Sequence, residues 1–234
     1  MKSIARQEFQ VTISALKKQV SYSALKKSNI PHDIQQCVYR NAIFQTSAAL
    51  EEYVKALLED WIHKLHANYK TIRYAPEPLI LWAAGKKQKN SFQHFIAFGD
   101  ESKLISSLAS THGLHDVFNK DSLAKDVICQ SGMVRDRKYP SKKNLVALFK
   151  RFGINDIFKS MQIKGKKDYK KNLESFSDIR TMIAHEHPTP DITAEDTRKQ
   201  LLIIDDFIAK LDAIMYSHVV SISGSDCWKT SRLF

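Results

Sequence analysis

One stretch limits the possible architecture more than any other. From Pro31 to about Tyr69, Leu50, Val54, Leu57, Leu58, Trp61 and Leu65 recur at spacings of three and four, the period of one face of an α-helix. Pro31 suits a first helical turn. A helix of this length, with no window approaching 18 apolar residues for a membrane span, reads as the central helix of a bundle. Composition agrees. Seven glycines and six prolines among 234 residues are too few for the many turns of an all-β fold, and 43% apolar residues supply a real core. The predicted fold class is all-α.

The rest of the chain is read around that helix. Residues 3–27 form a looser helical pattern with Ile4, Phe9, Val11, Ile13, Leu16, Val20 and Leu25 as its apolar set, closed by Asn29-Ile30-Pro31. Ala75-Pro76-Glu77-Pro78 forbids a helix start until after it. Leu79–Trp82 reads as a short strand or buried turn, and Gly85–Asn90 as a basic loop. Short helices are expected at 101–112 and 121–130, and another capped by Tyr139-Pro140-Ser141 and ended by Gly153. Residues 163–167 read as a basic turn. A helix over 168–186 is stopped by Pro188 and Pro190. Thr193-Ala194-Glu195-Asp196 resembles a capping box and opens a final helix to about Val220. No linker, repeat or low-complexity tract is present, so one domain over 1–234 is expected, with 70–135 as an insertion and 221–234 as a frayed polar tail.

The net charge of +11 and pI near 9.5 favour a polyanionic partner such as RNA or DNA. Cys37, Cys129 and Cys227 are far apart, form no CxxC pair and are odd in number, which argues against a disulfide framework. MKSIARQEFQ at the start has no apolar run of a secretory signal. A cytoplasmic chain without membrane attachment is the expectation.

The chemistry concentrates in IRTMIAHEHP, residues 179–188. A histidine titrates near neutrality and carries protons in either direction. An arginine stays charged and forks onto phosphate oxygens. Together they supply what phosphodiester cleavage by an internal 2′-OH needs: a base, an acid and a cation for the charge that grows on phosphorus. Arg180 and His185 are five steps apart, about 140° around an ideal helix, while Pro188 pushes His187 out of the α region. Taken as spacing alone, the cluster reads more as a helix end dressed with cations than as a site. His-Glu-His is too few ligands at set spacings for zinc, and HExxH, G-x-S-x-G and Walker motifs are absent. No metal and no cofactor are expected.

The context carries more. LESFSDIRTMIAHEHPTPDITAEDTRKQLLIIDDFIAKLDAI resembles the C-terminal half of a HEPN domain: an apolar helix ending in Arg-x3-Ala-His, a short Pro/Thr-rich loop, and a long amphipathic helix with a Thr-x-x-acid cap. YRNAIFQTSAALEEYVKALLEDW resembles the first core helix of the RiboL-PSP-like branch, and NLVALFKRFGI the segment that the branch carries before its motif. The resemblance covers roughly residues 35–65 and 140–216. It implies a HEPN-like helical bundle of four to five core helices. It further implies a metal-independent endoribonuclease with a composite Arg-x4-6-His site across a homodimer, often serving as a toxin or anti-phage effector with an antitoxin or defence-system partner protein. Carried over by residue, Arg180 is the phosphate-binding cation, His185 the general base or acid, and His187 the alternate or second proton carrier. The family's arginine is usually followed by Asn, Asp or His; here Thr181 can donate a hydrogen bond but cannot act as acid or base. A non-catalytic HEPN module that binds nucleic acid or a partner protein is the alternative, and a scaffold that only dimerises is a third reading.

Two residues of the long helix are supporting candidates. Glu51 lies on its apolar stripe and needs a partner there, with Arg180, His185 or Arg40 as choices, or an ion pair within the bundle. Arg40 is a structural clamp or a phosphate contact. Lys164, Lys166, Lys167, Lys170 and Lys171 precede the motif helix as a nucleic-acid track or a solvated face.

Overall fold

The computed structural model describes residues 1–25, 27, 29–109, 119–128, 140–186 and 190–231. Helix α1 (Ile4–Ser23) starts where the Ser3 side chain accepts the Arg6 N–H at 3.0 Å, satisfying one of the donors a helix start leaves open. It buries Phe9, Ile13, Leu16 and Val20 and stops short of the expected residue 27. Helix α2 (His32–Ala67) follows the sequence reading within two residues at each end. Its 36 residues make a rod about 54 Å long, with Asp33 in the first turn and Lys64 and His66 in the last, each sign opposing the local helix dipole.

The next part departs from expectation. A single helix, α3 (Glu77–Phe98), replaces both the short strand or turn at 79–82 and the basic loop at 85–90. Pro76 caps it and Pro78 sits in its first turn, where a missing N–H breaks no helical bond. Gly85 has open space where a Cβ would be and merely lies within the helix. Helix α4 (Glu101–Ala109) follows, after Gly99 turns the chain in the left-handed conformation at φ 67°. The helix expected at 121–130 is the four-residue α5 (Ala124–Val127); Cys129 lies outside the described residues. Helix α6 (Lys142–Arg151) begins at Ser141, whose hydroxyl accepts the Asn144 N–H. Helix α7 (Ile157–Gly165) occupies part of the expected basic turn. Nine residues burying only Ile157, Phe158 and Met161 give too few turns for a periodic signal, and Lys166 ends them at φ 54°. Helices α8 (Tyr169–His185) and α9 (Ala194–Ser223) match their expected positions closely, capped by Asp168 and Thr193. The described residues contain no strand, only an isolated bridge between Thr71 and Leu123.

Helices α1, α2 and α9 pack most extensively against each other. One continuous apolar core runs through them and takes in α6, α7 and α8. At its centre is an acid. Asp212 is fully buried on the inward face of α9. It accepts a close hydrogen bond from the Ser3 hydroxyl, with the Ser3 N–H at 3.2 Å and the Tyr53 hydroxyl at 3.3 Å, and Arg6 approaches to 3.9 Å. Burial pushes the Asp212 carboxyl up, and burial beside Asp212 holds Tyr53 well above its usual value. This network joins the starts of α1, the middle of α2 and the second half of α9.

The expected frayed tail is fastened down over its described part. Ser223 Oγ accepts from Trp61 Nε1 at 2.9 Å and donates to the Tyr74 carbonyl at 2.6 Å. Trp228 packs edge-on against Tyr216, the Lys229 carbonyl accepts the Ile4 N–H, and Lys229 pairs with Asp60 at 2.7 Å. Two buried side chains, Cys227 and Trp228, give this polar segment an apolar reason to stay on the bundle.

Burial also lowers the pKa of two histidines, His66 and His218. His218 donates Nε2–H to the Phe152 carbonyl at 2.9 Å and lies edge-on to Trp61. A folded pKa below the unfolded one means that the unfolded chain binds more protons, so stability rises with pH in that window. It is fully present above the ordinary imidazole value of about 6.5 and is lost as pH falls through the depressed folded values. Urea midpoints should therefore drop between pH 7.5 and 5.5, with a shallower fall in His218→Gln, whose amide can keep the bond to Phe152. Identical pH slopes in the two proteins would refute this.

Candidate functional site

Helix α8 sets out the Arg/His cluster. Its buried residues Tyr169, Leu173, Phe176 and Ile183 recur at helical spacing, and Arg180 stands four residues after Phe176 and three before Ile183. Arg180 thus occupies an inward position. It is half-buried, and its guanidinium lies over the Phe44 ring of α2, 5.6 Å from the ring centroid, a cation–π geometry. His185 is the last residue of the helix and is exposed. Glu186 leaves in extended conformation, its N–H still bonded to the Met182 carbonyl at 3.0 Å. Five helical steps set His185 about 7.5 Å along and about 140° around from Arg180, so one face of one helix does not present both. Thr181 is exposed. His187 lies outside the described residues.

The loop that leaves the motif is held by α2. Gln36 grips Ile192 from both sides, Nε2–H to its carbonyl and Oε1 from its N–H, each at 3.0 Å. Arg40 donates to the Pro190 carbonyl at 3.4 Å and approaches Asp191 at 3.5 Å. His32 donates Nε2–H to Asp191 at 3.0 Å. His32, Gln36, Arg40 and Phe44 follow one another every four residues, one stripe along the first half of α2. The sequence reading placed Arg40 among clamp or phosphate residues; here it clamps the loop. His32, Gln36 and Asp191 went unrecognised, because their pairing spans more than 150 residues of sequence.

Glu51 does not join this group. It is partly exposed. It lies seven residues beyond Phe44, about 10 Å further along α2, whereas the loop runs back toward His32. The lysine run is partly engaged within the fold: Lys164 donates to the Ala213 carbonyl at 2.9 Å, and Lys167 pairs with Asp206 at 2.8 Å. Burial first, then the neighbouring Asp206, pushes the Tyr169 hydroxyl up to about 12. Among the described residues, no three or more His, Cys, Asp or Glu side chains are placed to hold a metal ion, and no helix is long and apolar enough to cross a membrane.

An all-α bundle in which a half-buried arginine and a terminal histidine share the helix before a long capped helix defines a domain of the HEPN class. The family model described as RiboL-PSP-HEPN matches residues 11–217, and the chain belongs to that family. No curated protein and no solved structure matches the chain. Membership supports a nucleic-acid-related function.

Proposed function

We propose that the protein is a metal-independent endoribonuclease that works as a homodimer, with Arg180 and His185 as its reacting groups. The observation that carries this reading is Arg180 itself: a cation on the inward stripe of α8, braced by Phe44, opening the Arg-x4-His spacing in a chain of the RiboL-PSP-HEPN family. In the reaction a base takes the proton of a 2′-OH as that oxygen bonds to phosphorus. The P–O5′ bond then breaks, and an acid returns a proton to the leaving oxygen. The products are a 2′,3′-cyclic phosphate and a 5′-OH end. Arg180 stabilises the charge on the phosphoryl oxygens, and His185 carries one of the two protons; His187 is the candidate for the other. The angular separation of Arg180 and His185 within one copy favours a cleft completed by a second copy across a two-fold axis. A role as a toxin or defence effector, kept in check by a partner protein, fits such an activity in the cytoplasm.

RNA incubated with the purified protein in EDTA should be cut to fragments with cyclic phosphate ends, and His185→Ala should reduce the rate by about 100-fold or more. Intact RNA in every case would defeat the enzyme reading. Thr181 favours a second reading, a non-catalytic module that binds nucleic acid or a partner, because this exposed side chain stands where the family resemblance implies an amide or ionisable group. RNA binding without cleavage would select it.

A further inference from the structure

We propose that Arg40 and His32 form a second phosphate-binding subsite for the RNA strand and that Asp191 occupies it in the unliganded protein. This rests on the nucleic-acid reading above but not on catalysis. The two oxygens of the Asp191 carboxylate are taken up separately, Oδ2 by His32 Nε2 at 3.0 Å and Oδ1 by Arg40 Nη2 at 3.5 Å. That is the arrangement in which an arginine and a second N–H donor hold two oxygens of a phosphodiester. His32 begins α2, whose N-cap, Pro31, supplies no side-chain cap, and Asp33 in the same first turn offsets the positive end of the helix, so the attraction for an anion rests on the Arg40 and His32 side chains.

Displacement is easy here. His32 and Asp191 keep 70% and 65% of their side-chain surface exposed, and ion pairs so exposed are weak and screened by salt. The backbone of the loop does not depend on the carboxylate, because Gln36 holds Ile192 by two hydrogen bonds and Arg40 also reaches the Pro190 carbonyl. Asp191 can therefore swing out while its neighbours stay fixed. The subsite sits roughly 12 Å along α2 from Phe44, where Arg180 lies. It would hold a phosphate a nucleotide or two away from the one at Arg180. Asp191 thus acts as a substitute anion, raising the threshold for short or weakly held strands.

The test uses a 2′-O-methyl oligoribonucleotide, which cannot be cleaved, and fluorescence anisotropy over a range of salt. Asp191→Asn should tighten binding about three- to tenfold. Its log K against log salt should be steeper by nearly one unit, as expected for one further phosphate contact. Arg40→Gln should weaken binding and abolish the gain from Asp191→Asn when combined with it. Asp205→Asn on α9 makes the same change in net charge elsewhere and should give a smaller gain that survives Arg40→Gln. The inference is overturned if Asp191→Asn binds no better than wild type, if its gain equals that of Asp205→Asn, or if the gain persists without Arg40. A wild type that binds but does not cut RNA would remove the ribonuclease reading and leave this one standing.

Discussion

Arg180→Ala should lower RNA cleavage by about 1000-fold, the loss expected when one preorganised donor to a developing oxyanion is removed. Arg180→Lys should recover only part of it, because an ammonium offers a point charge where the guanidinium offers a planar fork. The fold should survive: Arg180 is only half-buried, and its contact with Phe44 is the sort worth about 1 kcal/mol. Phe44→Leu separates bracing from chemistry. It leaves the cation in place and frees its direction, so kcat should fall several-fold with little change in thermal midpoint. Single-turnover cleavage of a defined oligoribonucleotide, beside a melting curve for each variant, reads both. Full activity in Arg180→Ala would end its assignment as the phosphate cation.

Asp212→Ala should be the most destabilising single change in the bundle. It strands the Ser3 hydroxyl and N–H, the Tyr53 hydroxyl and the Arg6 guanidinium. Buried groups left without partners cost about 1–3 kcal/mol each, and breaking a buried charged network costs about 3–5 kcal/mol. For a chain of this size that is a fall in melting temperature of roughly 10 °C. Tyr53→Phe, which removes one donor, should cost about 1 kcal/mol. The raised Asp212 pKa sets the sign with pH. The folded state holds this proton more tightly than the unfolded chain, so the stabilising contribution of the protonated acid is complete below the ordinary carboxylate value and fades as pH rises through the folded one. Asp212→Asn should flatten that part of the stability profile. Equal melting temperatures for Asp212→Ala and wild type would refute the structural role.

The long helices were legible because each repeats its apolar period over many turns. In α2, α8 and α9 the expected and observed ends differ by only a few residues. Failures fell where local signals were short or ambiguous. Pro76, Pro78 and Gly85 look like breakers in sequence, yet a first-turn proline and a solvent-facing glycine leave the hydrogen bonds of α3 intact. The tail looked polar because the two residues that pin it, Cys227 and Trp228, are few and isolated. In the motif, the helix ends at His185, within one residue of the expected stop, and the inward place of Arg180 follows from its register with Phe176 and Ile183.

Sequence alone determined the all-α class, the three main helices and the Arg180/His185 cluster, since all of these follow from local periodicity and residue chemistry. Tertiary structure decided which groups meet. It seated Arg180 on Phe44, buried Asp212 against Ser3 and Tyr53, and drew His32 and Arg40 onto Asp191. The reason is physical: each of these pairings joins residues more than 100 positions apart or turns on the crossing of two helices, and no periodicity along one segment specifies where another will pass.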